Sequence, residues 1–180
     1  MMGFFSTSKT IGILGGGQLG KMLLNTTRQW DINTHVLDPS PEAPARIACN
    51  LFVQGDLMDY QTVMEFGKNV DVLTIEIENV NSEALIDLEK QGVQVYPQGR
   101  VLKIIQNKYR QKEFYKKNRI PTSGFEFFES KEALKDAVAR GFVSFPFVWK
   151  SESMGYDGYG VKMIRSNQDL ETISEGGCLA

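Results

Sequence analysis

Three consecutive glycines, Gly15-Gly16-Gly17, close a short apolar run, Thr10 to Leu14, and open a segment with helical spacing, Gln18 to Trp30. The stretch Gly15-Gly16-Gly17-Gln18-Leu19-Gly20 reads G-x-G-x-x-G between a strand and a helix. Glycines let the backbone turn tightly and come close to an anion, and the helix N-terminus then offers unpaired N–H groups and partial positive charge. A chain that begins this way is constrained toward a parallel α/β sheet. Asp38 ends the next apolar stretch, 18 residues beyond Gly20. An acid there can hold ribose hydroxyls in dinucleotide enzymes. The motif alone leaves NAD, FAD and a phosphorylated sugar open, beside a tight turn that binds nothing.

The alternation continues. Strands are expected at Thr34 to Leu37, Leu51 to Val53, Val70 to Ile77 and Val93 to Tyr96, the last stopped by Pro97. Helices are expected from Asp59 as cap to about Lys68, with Tyr60, Val63, Met64 and Phe66 as apolar positions, and from Ser82 to Gln91. In the first helix the apolar positions are Leu19, Met22, Leu23 and Trp30. Five short strands with intervening helices predict a parallel sheet with right-handed crossovers. Gly99 to Asn118 is a long, charged, helix-prone stretch broken at Pro121. A strand (Phe125 to Phe128), a helix capped by Ser130, a strand (Phe145 to Lys150), a glycine-rich stretch (Ser153 to Gly160), a strand (Val161 to Ile164) and a helix from Asn167 follow. Residues 175–180 read as a turn entering a new strand. The expected organisation is a Rossmann-like α/β domain over 1–98, a helical connector over 99–119 and an incomplete α+β unit over 120–180. An abrupt end in a new strand suggests a truncated chain.

Composition removes several classes. Twenty basic and 22 acidic residues give a net charge of −2, which argues against a nucleic-acid protein. Apolar stretches are strand-sized, too short to span a bilayer. Residues 1–9 lack the basic and apolar regions of a signal peptide. Met2-Gly3-Phe4-Phe5-Ser6-Thr7 fits a loose myristoylation pattern that is discounted because Met1 precedes it. Cys49 and Cys178 have no metal-site or disulfide spacing, which points to idle thiols in a reducing cytosol. The single histidine, His35, lies in an alternating stretch and reads as a strand residue.

Lys150 closes the apolar run Phe145-Pro146-Phe147-Val148-Trp149, and three residues later the glycine-rich stretch begins. An ammonium at the end of a strand points toward an anion or snorkels to solvent. A loop with three glycines in six residues can fold over a polyphosphate and donate backbone N–H groups. Lys108 is a second candidate phosphate partner. A flexible surface hairpin is the plain alternative.

Taken together, Ile11-Gly12-Ile13-Leu14-Gly15-Gly16-Gly17-Gln18-Leu19-Gly20-Lys21-Met22-Leu23, Leu37-Asp38-Pro39, Thr74-Ile75-Glu76-Ile77-Glu78-Asn79-Val80, Ile120-Pro121-Thr122 and Gly155-Tyr156-Asp157-Gly158-Tyr159-Gly160 resemble the ATP-grasp superfamily. Within it the sequence is most similar to the N5-carboxyaminoimidazole ribonucleotide synthetase family. That resemblance implies ATP-dependent carboxylation of 5-aminoimidazole ribonucleotide with bicarbonate, through carboxyphosphate, in purine biosynthesis. It implies a cytoplasmic homodimer using ATP and Mg2+, with no nucleic acid or membrane as partner. Lys108 and Lys150 would contact ATP phosphates, and Gly155, Tyr156, Asp157, Gly158, Tyr159, Gly160 and Val161 would form the loop over the triphosphate. Gly17, Gln18 and Leu19 would bind the ribonucleotide phosphate, and Glu76 and Glu78 would lie near the ribonucleotide. Tyr156 and Asp157 would position amine and bicarbonate as the catalytic pair. The resemblance puts the metal ligands beyond Ala180, with none in this chain, so the 180 residues alone are expected to be inactive.

Departures from the family pattern are Ser151, Glu152, Ser153 and Tyr159 where basic residues are usual, and Asn79 in place of a histidine. Glu152 would repel phosphate unless turned outward. The alternatives are an NAD-dependent oxidoreductase built on Gly15 to Gly20 and Asp38, and a non-catalytic nucleotide-binding module.

Overall fold

The computed structural model describes residues 8–153 and 160–180. They divide into two compact units, one ending at Lys103 and one running from Ile104 to Ala180.

In the first unit the apolar runs become β1 (Thr10–Leu14), β2 (Asn33–Asp38), β3 (Leu51–Gln54), β4 (Val72–Ile75) and β5 (Gln94–Tyr96). They form one parallel sheet in the order β3-β2-β1-β4-β5. The central strands β1 and β4 are largely apolar because cores form on both faces of the sheet, while β2 carries polar residues at both ends. Alternate side chains of one strand enter different cores. Ile13 and Val36 join Leu24, Ala45 and Ala48 on one face. Leu14 and Leu37 join Val63, Met64, Leu73, Leu85, Leu88 and Leu102 on the other. Each fully buried Leu or Ile stabilises by roughly 1.5–3 kcal/mol relative to exposure.

Helix α1 (Gln18–Gln29) packs through Gly20, Leu24 and Thr27. The apolar positions expected to face the core do not. Leu19, Met22 and Trp30 are each more than 60% exposed, and Leu23 is 41% exposed. At 100° per residue, positions 20, 24 and 27 share a face that excludes 19, 22 and 30. Gly20 holds the inner face because a Cβ there would lie 3.2 Å from the Gly15 carbonyl oxygen. Between β2 and β3 a 3-10 turn (Pro44–Ile47) takes the place of a helix.

Helices α2 (Tyr60–Gly67) and α3 (Ser82–Lys90) start at Asp59 and Asn81, whose side chains accept the N–H groups of Thr62 and Ala84. The strand expected to reach Ile77 stops at Ile75, so Glu76 is the first residue past its C-terminal end.

The long helix-prone stretch is two helices, α4 (Gly99–Ile105) and α5 (Lys108–Lys117). Asn107 breaks it by adopting extended backbone and accepting the Arg110 N–H, the competition with helix that Asn side chains offer.

The second unit continues with β6 (Phe127–Phe128), α6 (Lys131–Ala139), β7 (Phe147–Ser151), β8 (Val161–Ile164), α7 (Asn167–Glu171) and β9 (Cys178–Leu179). Its sheet is antiparallel in the order β6-β9-β7-β8. Leu134, Trp149, Ile164, Leu170, Ile173 and Cys178 form a separate core. The final segment does enter a strand, and it pairs between β6 and β7. His35 is a β2 residue. No helix among the described residues is long and apolar enough to cross a membrane.

Candidate functional site

The first group of candidate residues gathers where β1 and β4 end side by side. Strands β2 and β3 run off one side of β1 while β4 and β5 run off the other. Open α/β sheets bind ligands at such a reversal, beyond the carboxyl ends of the strands. Gly15 has φ +100, a left-handed conformation that suits glycine. Its N–H donates to the Leu37 carbonyl at 2.9 Å, and the Gly16 N–H donates to Asp38 Oδ2 at 2.6 Å. Gly17 is the N-cap of α1 and has no side chain to accept a helix N–H. Its carbonyl receives the first helical bond, from Lys21 N–H at 3.1 Å. The N–H groups of Gln18 and Leu19 lie in that first turn, where the helix itself provides no acceptor. Both residues are exposed.

Glu76 completes the group. Its backbone N–H donates to the Leu14 carbonyl at 2.7 Å, extending the β1–β4 ladder. Its carboxylate lies over the loop: a Cβ on Gly15 would come within 2.8 Å of Glu76 Oε2, and one on Gly17 would strike Oε1. The structure therefore brings Gly17, Gln18, Leu19 and Glu76 together. Glu78, two residues on, is exposed.

The second group lies in the other unit. Lys150 is a half-buried residue of β7, in register with Val161 of β8 and Leu179 of β9. Lys108 is the first residue of α5, and its backbone N–H donates to the Glu152 carbonyl at 2.7 Å. Gly160, at φ +72, accepts the Ser151 N–H at 2.9 Å and closes the β7–β8 hairpin just before Val161. Gly155, Tyr156, Asp157, Gly158 and Tyr159 lie outside the described residues.

Glu152, the departure expected to repel phosphate, is engaged elsewhere. Its Oε1 accepts Asn107 Nδ2–H at 2.9 Å, and Oε2 presses where a Gly177 Cβ would be. Its charge is directed at the start of α5 and the approach to β9.

Sequence reasoning missed Lys112. Its ammonium donates to Thr122 Oγ1 at 2.5 Å, Ser123 Oγ at 2.8 Å and the Ser123 carbonyl at 3.2 Å, and sits 5.5 Å from the Phe125 ring centre. Burial and the Lys150 charge together hold its pKa below the usual lysine value. The available signal was its spacing, four residues after Lys108 on one helix face. Among the described residues no cluster of three or more His, Cys, Asp or Glu could hold a metal ion.

The sequence profile of the ribonucleotide synthetase preATP-grasp domain matches residues 8–106. The chain belongs to the ribonucleotide synthetase preATP-grasp family. An ATP-grasp domain profile matches residues 113–177. A phosphoribosylaminoimidazole carboxylase from Candida glabrata is 38% identical over 170 residues, covering 91% of this chain and 29% of the relative. Two Aspergillus clavatus structures are also similar. The carboxyaminoimidazole ribonucleotide synthase complexed with ATP has TM-score 0.84 and 30% identity, over 97% of this chain and 47% of that one. The N5-carboxyaminoimidazole synthase in complex with ADP and 5-aminoimidazole ribonucleotide has TM-score 0.80 and 29% identity, over 97% and 46%. The chain thus spans less than half the length of these relatives. In the preATP-grasp domain the glycine loop and Glu76 share the sheet end, and in the ATP-grasp match Lys150 and the hairpin share one strand pair. The oxidoreductase alternative is not favoured by these relatives, nor by Asp38, whose Oδ2 is occupied by the loop's own Gly16 N–H.

Proposed function

We propose that the protein carrying this chain transfers a carboxylate from bicarbonate to the exocyclic amine of 5-aminoimidazole ribonucleotide, at the expense of ATP. A bicarbonate oxygen attacks the γ-phosphorus and ADP leaves, giving carboxyphosphate. The amine nitrogen then bonds to the carboxyl carbon, inorganic phosphate leaves, and the nitrogen loses a proton. The product is N5-carboxyaminoimidazole ribonucleotide.

One observation carries the reading. A single chain holds two features that suit anions: a glycine-loop helix start at a sheet reversal, and a strand lysine followed by a glycine-rich sequence. A simple dinucleotide enzyme needs only the first. In this reading Gly17, Gln18 and Leu19 take the ribonucleotide phosphate by backbone N–H groups, with Glu76 and Glu78 beside the ribonucleotide. Lys108 and Lys150 neutralise ATP phosphates, the charge compensation that phosphoryl transfer depends on. Residues Gly155 to Val161 cover the triphosphate, and Tyr156 and Asp157 position amine and bicarbonate. An enclosed site keeps water from carboxyphosphate. Magnesium bound with the ATP phosphates would lower their charge. The similar Aspergillus proteins complexed with ATP, and with ADP and 5-aminoimidazole ribonucleotide, support both ligands. The domain limits that fit this reading are a ribonucleotide domain over 1–98, a connector over 99–119 and an ATP lid over 120–180. A cytosolic homodimer belongs to it as well; the two free thiols, Cys49 and Cys178, suit a reducing compartment.

The test is ADP release by the full-length protein. Release should rise when 5-aminoimidazole ribonucleotide and bicarbonate are both present, and a rate indifferent to them would overturn the reading. ATP binding without any turnover would favour a non-catalytic nucleotide module. NADH binding in a fluorescence titration, with no ATP binding, would favour the oxidoreductase. Sedimentation velocity reports the dimer.

A further inference from the structure

Asp38 ends β2, half-buried, in the place where a dinucleotide enzyme would hold a ribose. Here its carboxylate is turned onto its own backbone. Oδ2 accepts the Gly16 N–H at 2.6 Å and Oδ1 accepts the Ser40 N–H at 2.8 Å. Its main-chain carbonyl accepts the Gly55 N–H at 3.1 Å. The same turn is gripped from other sides. Leu37 carbonyl receives the Gly15 N–H at 2.9 Å, and the Gly16 carbonyl receives the Ala45 N–H at 2.8 Å. A side chain at Gly16 has no room, because a Cβ would lie 3.0 Å from the Ala43 Cβ and 3.2 Å from the Asp38 Cβ. Gly16 is therefore held at both its N–H and its carbonyl, one residue before the cap of α1.

The division of donors follows. The N–H groups of Gly15 and Gly16 are consumed inside the protein, whereas those of Gln18 and Leu19 begin the helix. A charge-assisted bond to a backbone N–H is roughly twice as strong as a neutral one, so the carboxylate fixes the direction from which α1 starts. Two backbone donors stabilise the carboxylate, with one oxygen turned to Gly16 and the other to Ser40.

We propose that Asp38 is a positioning residue of the ribonucleotide site. It sets the Gly15–Gly17 turn so that the first-turn N–H groups of α1 meet a phosphate monoester, and does not touch that ligand itself. This rests on the reading of the loop as the ribonucleotide phosphate site. An amide at position 38 cannot serve both donors, because in Asp38→Asn one oxygen becomes an NH2 facing another N–H. Asp38→Ala removes both acceptors.

The experiment uses the full-length protein and three readouts: hydrogen exchange at the Gly16 amide, steady-state kinetics with 5-aminoimidazole ribonucleotide, and ATP affinity by calorimetry. Asp38→Asn should speed Gly16 exchange and raise the ribonucleotide KM by about tenfold, with a larger rise in Asp38→Ala, matching loss of a charge-assisted bond. The kcat and the ATP affinity should stay within about twofold, since neither involves this turn directly. If Asp38→Ala fails to fold, the milder Asp38→Asn decides. An unchanged KM, unchanged Gly16 exchange, or a collapse of kcat at constant KM would each overturn the role. If wild-type protein binds no ribonucleotide, the reading of the loop falls and this positioning role falls with it, even where Gly16 exchange still shows the brace. A brace without ligand effect, beside intact wild-type binding, overturns the positioning role alone.

Discussion

At the scale of single residues, the chemistry turns on which groups the backbone leaves for a ligand. Lys150→Ala removes an ammonium from a strand whose neighbours are Val161 and Leu179. In the full-length protein it should weaken ATP binding by about 1.5–3 kcal/mol, the range for a bond to a charged group. Calorimetry checks this, and an unchanged affinity rules out a phosphate contact. Gly15→Ala tests the loop itself. At φ +100, with Glu76 Oε2 at 2.8 Å and Ile77 Cγ2 at 3.0 Å from the new Cβ, it should destabilise by about 1–3 kcal/mol. The urea midpoint should fall accordingly; no shift would mean that the turn relaxes freely. His35 gives a pH signature. Burial lowers its pKa below the ordinary histidine value, so the unfolded chain takes up the proton first. Its stability contribution is intact above the ordinary pKa, declines as pH falls through it, and levels off below the lowered native value. As the chain's single histidine, it gives one imidazole titration by NMR; a native pKa at or above the ordinary value would contradict the sign. At this scale Asp38 and Glu152 were the hard residues to read. Both are acids beside expected anion sites; Asp38 turns to the backbone N–H groups of Gly16 and Ser40, and Glu152 turns to the side-chain amide of Asn107, 45 residues away in the chain.

At the scale of elements, capping was the most legible feature. Asp59 and Ser130 cap α2 and α6 where the sequence placed them, because the signal is local. Ser166 adds a capping box with Asp169 at the start of α7. Asn107 is the counterexample: charged, helix-favouring residues on both sides conceal a break whose reason is partly tertiary. Its Oδ1 caps α5 while its Nδ2 reaches Glu152. Asn107→Ala should therefore cost about 1–2 kcal/mol, at or above the usual loss of a cap, read as a lower thermal midpoint. Glu152→Gln, which keeps an acceptor for Asn107, should cost less; equal losses would show that the carboxylate charge matters more than the bond. The apolar face of α1 was misread for a related reason. Periodicity reports which residues are apolar, and in this helix the inner face belongs to Gly20, Leu24 and Thr27.

At the scale of the whole chain, the cores divide cleanly. Every buried member of the two clusters around the parallel sheet lies at or before Leu102, and every member of the third lies at or after Leu134. A fragment ending at Lys103 should fold by itself with a single cooperative urea transition, since its hydrophobic burial is self-contained. A non-cooperative loss of helical signal would show that the parallel sheet depends on later residues. The sequence by itself determined the strand and helix succession outside the 99–118 stretch, the parallel sheet, the glycine loop and the capped starts of α2 and α6, because these show as local signals or periodic patterns. It also carried the motifs by which the ATP-grasp likeness was visible. Only the tertiary structure decided that Glu76 folds over Gly15 and Gly17, that Asp38 serves Gly16, that Lys112 joins Thr122 and Ser123, and that Cys178–Leu179 slots between β6 and β7. Those pairings join residues ten or more positions apart in the chain, and a carboxylate or ammonium goes to whichever donor or acceptor the fold brings within hydrogen-bond reach.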